Sequence, residues 1–268
     1  MKFSNTRVMN IESALRGMRN AKNSWSRSDS EYGLAYLGNK EALERVSVTY
    51  ENERCAKISN ERKYAMREHE GKNIREWLVR NGSLREYKGF IEYAYIGRND
   101  LELAQRLILA GSEHRKFMRQ IQVSVDIEAP EYWYKEFDTY KVGTVANSTS
   151  TMHKLVATPI TKELFEAGNC KDEEIEDIWE SLINELERLR QRYVETGEKV
   201  YWKELIRLLP NSWKYMRTIT MNYENLIGMC SRGQRRNHKL SEWSEEFIKW
   251  ARGLPYAQEL IFIDEVVK

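Results

Sequence analysis

The sequence predicts an α+β chain that is predominantly helical with a small sheet. Three observations predict it. Apolar residues recur at helical spacing through most of the chain. Capping and stop residues bracket those periodic segments. Only two short stretches, 216–221 and 259–267, read as strands. A chain of 268 residues can bury about three quarters of its unfolded surface, enough for one large domain or one domain with an insertion.

Charged residues make up 31% of the chain but nearly cancel, at net +2. The balance argues against general attraction to nucleic acid or membranes. There is no apolar run of membrane-spanning length, and Met1-Lys2-Phe3-Ser4 lacks the apolar core of a signal peptide. A cytoplasmic protein is expected. Cys55, Cys170 and Cys230 are too scattered for a disulfide framework or a Cys-x-x-Cys pair, so reduced thiols are expected. His69, His114, His153 and His238 form no tight ligand cluster, so no metal site is assigned.

Taken in order, residues 6–20 carry Val8, Ile11, Ala14, Leu15 and Met18 at helical spacing. The polar stretch 19–30 that follows contains Trp25 among Arg16, Arg19 and Arg27. This is either an ordinary loop anchored by Trp25 or a contact for a ring and an anion. Residues 31–95 are charged and lack proline, and they read as an insertion or lid. Within it, 58–80 reads as a basic helix whose solvated face is the favoured reading, with polyanion docking as the alternative. Asn99 with Glu102 predicts a capping box, and Leu103, Ala104, Leu107 and Ile108 form one face up to Gly111. That helix delivers Ser112-Glu113-His114 at its end.

The densest functional stretch runs from Gly111 to Lys154. Pro130 suits the first position of a helix, and Trp133, Phe137 and Tyr140 share its apolar face until Gly143. The run 144–151 of small hydroxyl and amide residues then reads as a polar loop suited to a phosphate or heterocycle, or as a surface loop with no ligand. From Asp172 to Val194, Ile175, Trp179, Leu182, Leu186, Leu189 and Tyr193 predict a long scaffold helix with an acidic start and a basic end. Trp202, Leu205, Ile206 and Leu209 predict a shorter one stopped by Pro210. Met216–Met221 reads as a strand, Asn222 as the cap of the next helix, and 231–239 as a basic turn containing Arg232 and Arg235. The last helix, Glu242 to Arg252, ends at Gly253 and Pro255, and 259–267 reads as a closing strand.

Two ordered series of motifs resemble the flavin-dependent thymidylate synthases. The first is Ser112-Glu113-His114, a helix, Thr139-Tyr140-Lys141, and a polar run with Thr144 and Thr149. The second is Leu209-Pro210, Thr220-Met221-Asn222, Arg235, and the tail His238-Lys239-Leu240-Ser241-Glu242-Trp243. The resemblance covers roughly 96–252 with a weaker match over the first 30 residues, and it points to a divergent bacterial and phage-borne branch. It implies that family's fold, with 1–30 and 96–268 as core and 31–95 inserted.

The same resemblance assigns sites. It gives Glu136, Ser148, Thr149, Ser150 and Arg235 to the substrate, and His114, Thr139, Lys141, Asn147 and Asn222 to the cofactor, with no firm catalytic base. Anchoring on the tail selects Arg235 for the base, whereas counting from Asn222 selects Arg232. The family's Arg-His-Arg triplet is Thr139-Tyr140-Lys141 here, and a Lys point charge does not reproduce an arginine's bidentate fork. The family's loop glutamate aligns with Asn147, its phosphate-contacting glutamine with Glu136, and its phosphate-binding arginine with Thr151. His153 and Lys154 are the nearest cations in place of that arginine. No cysteine follows a proline, so the folate-only class with its Pro-Cys nucleophile is not matched.

The implied activity is one-carbon transfer from methylenetetrahydrofolate to C5 of dUMP or a related pyrimidine deoxynucleotide. FAD is the implied cofactor, NADPH the implied reductant, and a homotetramer the implied assembly. The competing expectation is a nucleotide-binding paralogue, a sensor or sequestering protein, that has lost flavin. A third and weaker one makes 57–80 and 232–239 a nucleic-acid surface.

Overall fold

The structure is a computed structural model and describes residues 1–36, 84–87, 90–150, 155–167 and 170–266. The expected helix at 58–80, together with Cys55, His69, Thr151, His153 and Lys154, lies outside the described residues. The architecture is α+β and predominantly helical, with a four-stranded sheet of order β1-β5-β7-β6 and a three-stranded sheet of order β2-β4-β3. Their strands are β1 Lys2–Met9, β2 Glu31–Tyr36, β3 Leu84–Tyr87, β4 Phe90–Tyr95, β5 Gln122–Pro130, β6 Val145–Ser148 and β7 Lys214–Asn222.

Two compact units divide the chain. The first comprises Met1–Asn5 and Val125–Thr220, and the second Thr6–Ser124 and Met221–Lys268. Helices α1 Ile11–Met18 and α2 Arg98–Leu109 belong to the second unit. In the first are α3 Glu131–Phe137, α4 Glu173–Thr196 and α5 Lys199–Leu208. The second resumes with α6 Tyr223–Met229 and α7 Arg232–Asn237. A π-helical stretch Glu242–Phe247 then runs into α8 Ile248–Arg252, followed by α9 Ala257–Leu260.

The core of the first unit follows from helix amphipathicity. Leu186 and Leu189 of α4, Leu205 of α5, and Leu155, Ile160, Phe165 and Trp213 form one buried cluster against which Trp179 and Leu182 pack. Asp172 caps α4 by accepting from the Glu174 amide, and the helix ends on Gly197 at φ 69°, a left-handed conformation that glycine adopts without a Cβ clash. The last turn of α4 carries no cation. Arg190 and Arg192 lie one turn earlier, so the expected basic end is displaced.

The second unit contains a polar knot at the root of the 31–95 excursion. Asp29 Oδ2 accepts from the Asn99 amide at 2.8 Å and Oδ1 from the Asp100 amide at 3.1 Å, so Asp29 satisfies the first turn of α2. The expected cap, Asn99, is instead inside the helix, whose N-cap is Gly97. A Cβ at Gly97 would stand 2.2 Å from the Asp29 carbonyl oxygen, so the close approach requires glycine. Asp100, fully buried, accepts from Arg19 Nε at 2.5 Å, Ser28 Oγ at 2.6 Å and Ser30 Oγ at 2.5 Å. The excursion then leaves through β2 and returns through β4, which pair antiparallel with Glu31 opposite Tyr95.

Four further expectations are corrected. Residues 2–9 are a strand, so the first helix begins at Ile11 rather than near residue 6. Pro130 ends β5 in an extended conformation and precedes α3 instead of opening it. Within the polar run 144–151 expected as a loop, Val145–Ser148 is the strand β6. The expected closing strand at 259–267 is the end of α9 and a 3-10 turn at Ile263–Glu265.

Candidate functional site

In the first unit the expected substrate loop is an edge strand. β6 has few strand-forming side chains of its own and is made by pairing with β7: Val145 opposite Thr220, Ala146 opposite Ile219, Asn147 opposite Thr218 and Ser148 opposite Arg217. Thr149 extends the pairing by donating its amide to the Met216 carbonyl at 2.8 Å. All four residues of β6 are exposed, and Thr149 and Ser150 are exposed beyond it.

Strand geometry separates residues that a loop would present together. Directly opposed residues share a face, and neighbours alternate. Asn147 therefore shares a face with Thr218, whose hydroxyl donates to Asp126 Oδ1 at 2.6 Å. Asn5 Nδ2 donates to the other oxygen of Asp126 at 2.6 Å. The two bonds hold the Asp126 carboxyl below the usual carboxylate range, the Asn5 bond contributing most. Ser148 projects from the opposite face, which it shares with Arg217.

Arg217 is the functional-type residue that sequence reasoning missed. Its guanidinium lies 4.1 Å from the centre of the Tyr134 ring, donates to Asp138 Oδ1 at 2.9 Å, and donates to the Tyr215 hydroxyl at 2.7 Å. Tyr215 in turn donates to Glu131 Oε2 at 2.6 Å. Burial pushes the Tyr215 phenol up to about 12, with the Glu131 bond adding to the rise, so it stays a neutral donor. The Arg217 Nε is buried without a hydrogen-bond partner among the described residues.

Of the triplet, Thr139 Oγ1 donates back to the Glu136 carbonyl at 2.7 Å and so closes the end of α3. Lys141 is exposed, and its ammonium pairs with no carboxylate among the described residues. Glu136 is half-buried on α3.

In the second unit, Ser112-Glu113-His114 forms an exposed turn after α2. Arg115, the next residue, pairs with Glu224 through Nε at 2.9 and 3.0 Å. Glu224 lies in the first turn of α6, two residues after Asn222. The structure thus brings the His114 turn to the Asn222 junction, two elements assigned to the same ligand from sequence. Asn222 is the expected cap, with a reciprocal box: its Oδ1 accepts from the Asn225 amide at 3.0 Å, while Asn225 Oδ1 accepts from the Asn222 amide at 3.1 Å.

Arg235 is engaged by its own neighbours. Its nitrogens bond the Cys230 carbonyl at 2.6 Å, Asp264 at 2.6 and 3.2 Å, and Glu265 at 3.0 Å. Only 10% of its side chain is exposed. Arg232, three residues nearer Asn222, is exposed with no partner among the described residues.

With this geometry in view, the chain superposes on the flavin-dependent thymidylate synthase ThyX from Helicobacter pylori in complex with FAD and dUMP. The match has a TM-score of 0.58 and 14% identity, and covers 98% of this chain and 99% of that one. The fold is that of the flavin-dependent thymidylate synthases. A second Helicobacter pylori ThyX structure with FAD and dUMP gives the same TM-score and identity with 100% of both chains covered. The UMP/dUMP methylase PolB from Streptomyces cacaoi matches over 63% of this chain at a TM-score of 0.47 and 14% identity, a likeness too low to carry weight. No family model matches the sequence, and no curated protein matches it either.

For a flavin, the fit is uneven. Among the described residues the side chains of His114, Lys141 and Asn147 have no hydrogen-bond partner, whereas the Thr139 hydroxyl and Asn222 Oδ1 are spent on closing helix ends. Among the described residues no cluster of His, Cys, Asp and Glu could hold a metal ion. No helix among them is long and apolar enough to cross a membrane.

Proposed function

We propose that this chain is a flavin-dependent thymidylate synthase-like enzyme. Its substrate would be dUMP or a related pyrimidine deoxynucleotide, methylated at C5 with methylenetetrahydrofolate as carbon source and NADPH as reductant. The observation that carries this reading is superposition over the whole chain on a synthase that binds FAD and dUMP.

When bound, FAD would supply the hydride. The chain's own work is to bind, orient and exclude water. His114, Lys141 and Asn147 would contact the cofactor, with Asn222 holding the backbone of its junction and Thr139 fixing the helix end before Lys141. Ser148, Thr149 and Ser150 offer short hydroxyl donors to a phosphate. Ser148 has Arg217 as its strand partner, with the guanidinium held by Asp138 and Tyr215. Glu136 faces this role only as a hydrogen-bond acceptor. Because Arg235 is saturated by Asp264 and Glu265, Arg232 is the arginine left to hold the pyrimidine. A homotetramer belongs to the same reading.

The test is reconstitution. The purified chain is incubated with FAD, passed through gel filtration, and examined for visible absorbance. Retained yellow bands, weakened in Lys141→Ala, support the enzyme. A colourless protein that still gives a dUMP isotherm by calorimetry would replace it with the nucleotide-binding paralogue, a reading favoured by the loss of two arginines at 139 and 141.

A further inference from the structure

The loop 19–30 contains none of the residues given above to the flavin or the pyrimidine nucleotide, and its construction is unusual for a surface connection. Trp25 leaves 49% of its surface in water, yet it does not hang loosely. Its indole Nε1 donates to Asn20 Oδ1 at 2.9 Å, which fixes the ring plane and uses the only donor the side chain has. What remains for a ligand is the face of the ring.

The frame behind it is rigid. Arg19 is 4% exposed and bonded to the fully buried Asp100. From there Arg19 Nη1 reaches forward to the Ser24 carbonyl at 3.2 Å. On the far side of Trp25, Ser28 and Ser30 donate to the second oxygen of the same Asp100. One buried carboxylate thus pins both ends of the loop. The turns between are closed by Asn23 N to Asn20 O, Ser24 N to Arg19 O and Ser28 N to Trp25 O at 3.0–3.2 Å. Asn23 takes the left-handed conformation at φ 48°, which asparagine tolerates better than most residues.

Arg19, one of the three arginines expected to meet an anion, is therefore structural. Lys22 and Arg27 flank Trp25 on its two adjoining 3-10 turns. Both are exposed and without a carboxylate partner among the described residues. A held ring face with one exposed cation three residues before it and another two residues after it in the chain matches a planar heterocycle that carries a phosphate. Holding the platform in place beforehand removes the ordering cost that a mobile tryptophan would impose on binding.

We infer that Trp25, Lys22 and Arg27 form a second binding site, for a nucleobase bearing a phosphate, in which the base stacks on Trp25 and the phosphate meets the two cations. That chemistry has two sources, a free mononucleotide or a base within single-stranded nucleic acid. A purine probe keeps the test separate from the pyrimidine reading above.

The full chain is labelled with 5-fluorotryptophan, and the Trp25 fluorine signal is assigned by its loss in Trp25→Phe. AMP, adenosine, inorganic phosphate and a ten-residue oligo-dA are titrated separately. AMP should move the Trp25 signal saturably, and adenosine should bind about ten-fold more weakly for want of its phosphate. In a Lys22→Ala/Arg27→Ala double variant AMP should fall to the level of adenosine. These two residues are exposed, so the variant keeps its fold, as the unmoved signals of the other tryptophans will report. Tighter binding of oligo-dA with a steep salt dependence assigns the site to single strands. AMP at least as tight assigns it to free nucleotide. A Trp25 signal that neither probe moves at about millimolar concentration, or that moves equally in the double variant, overturns the inference.

Discussion

Asp100 joins four partners through two oxygens and one amide, and its neutral analogue shows what the charge contributes. In Asp100→Asn the Arg19 guanidinium remains buried without a counter-charge, and removing one partner of a buried pair costs about 3–5 kcal/mol. Urea denaturation should show an unfolding free energy lowered by that amount, read as a lower midpoint at unchanged slope. Gly97→Ala acts on the same knot by volume. Its Cβ meets Asp29 backbone and carboxyl atoms at 2.2–2.4 Å, and overpacking of this kind costs about 1–3 kcal/mol. Had Gly97→Ala no effect on thermal unfolding, the close approach of Asp29 to the helix start would be wrong. Neither effect was legible from the sequence. Arg19 and Asp100 are 81 positions apart, and no local pattern pairs them. The partners of Arg235 were hidden for the same reason: Asp264 and Glu265 lie 29 and 30 positions on, in a stretch whose apolar residues read as a strand.

Elements with a long apolar stripe were legible, and those made by their neighbours were not. The periodicity of α4 and α5 and the Asn222 cap are local properties of sequence, and each is present where expected. β6 has no such property. Val145-Ala146-Asn147-Ser148 becomes a strand because β7 offers a paired edge, a tertiary effect that outweighs intrinsic preference. The apolar run at 259–263 was too short for its period to distinguish helix from strand. At the α6 start, Asn222→Ala removes the bond in which Asn222 Oδ1 accepts from the Asn225 amide, and leaves the amide of position 222 able to donate to Asn225 Oδ1. It should cost about 1 kcal/mol, measured as a lower thermal midpoint. The C-terminal turn gives a pH signature. Two bonds from Arg252 hold the Glu265 carboxyl down at about 2, against 4.5 unperturbed. A carboxyl with a depressed folded value stabilises the fold above its unfolded value and loses that contribution as pH falls through the folded one. Stability should therefore decline between about pH 4.5 and about 2, and Glu265→Gln should flatten that part of an acid titration of the melting temperature. An unchanged titration would mean that the Arg252 pair is absent in solution.

For the molecule as a whole, charge is the legible quantity and ligand chemistry the less legible one. A net charge of +2 at pH 7 with an isoelectric point near 8.3 places the solubility minimum just above neutrality. Light scattering should therefore rise as the buffer moves from about pH 6.5 to about pH 8.3. The motif order was enough to anticipate the fold. Thr139-Tyr140-Lys141 in place of three stronger ligands left the cofactor to be settled by reconstitution.

The antiparallel return of β4 against β2, sealed below by Asp29 and Asp100, has a consequence for how the chain tolerates change. A segment that comes back to the point it left from has its two ends held together there. The closure entropy of such a segment grows only logarithmically, about 0.6 kcal/mol for each doubling of length. Natural variants of this chain can thus differ in the number of residues between Tyr36 and Leu84 at little cost in closure entropy, provided that the serines, the aspartates and Gly97 at its threshold are kept.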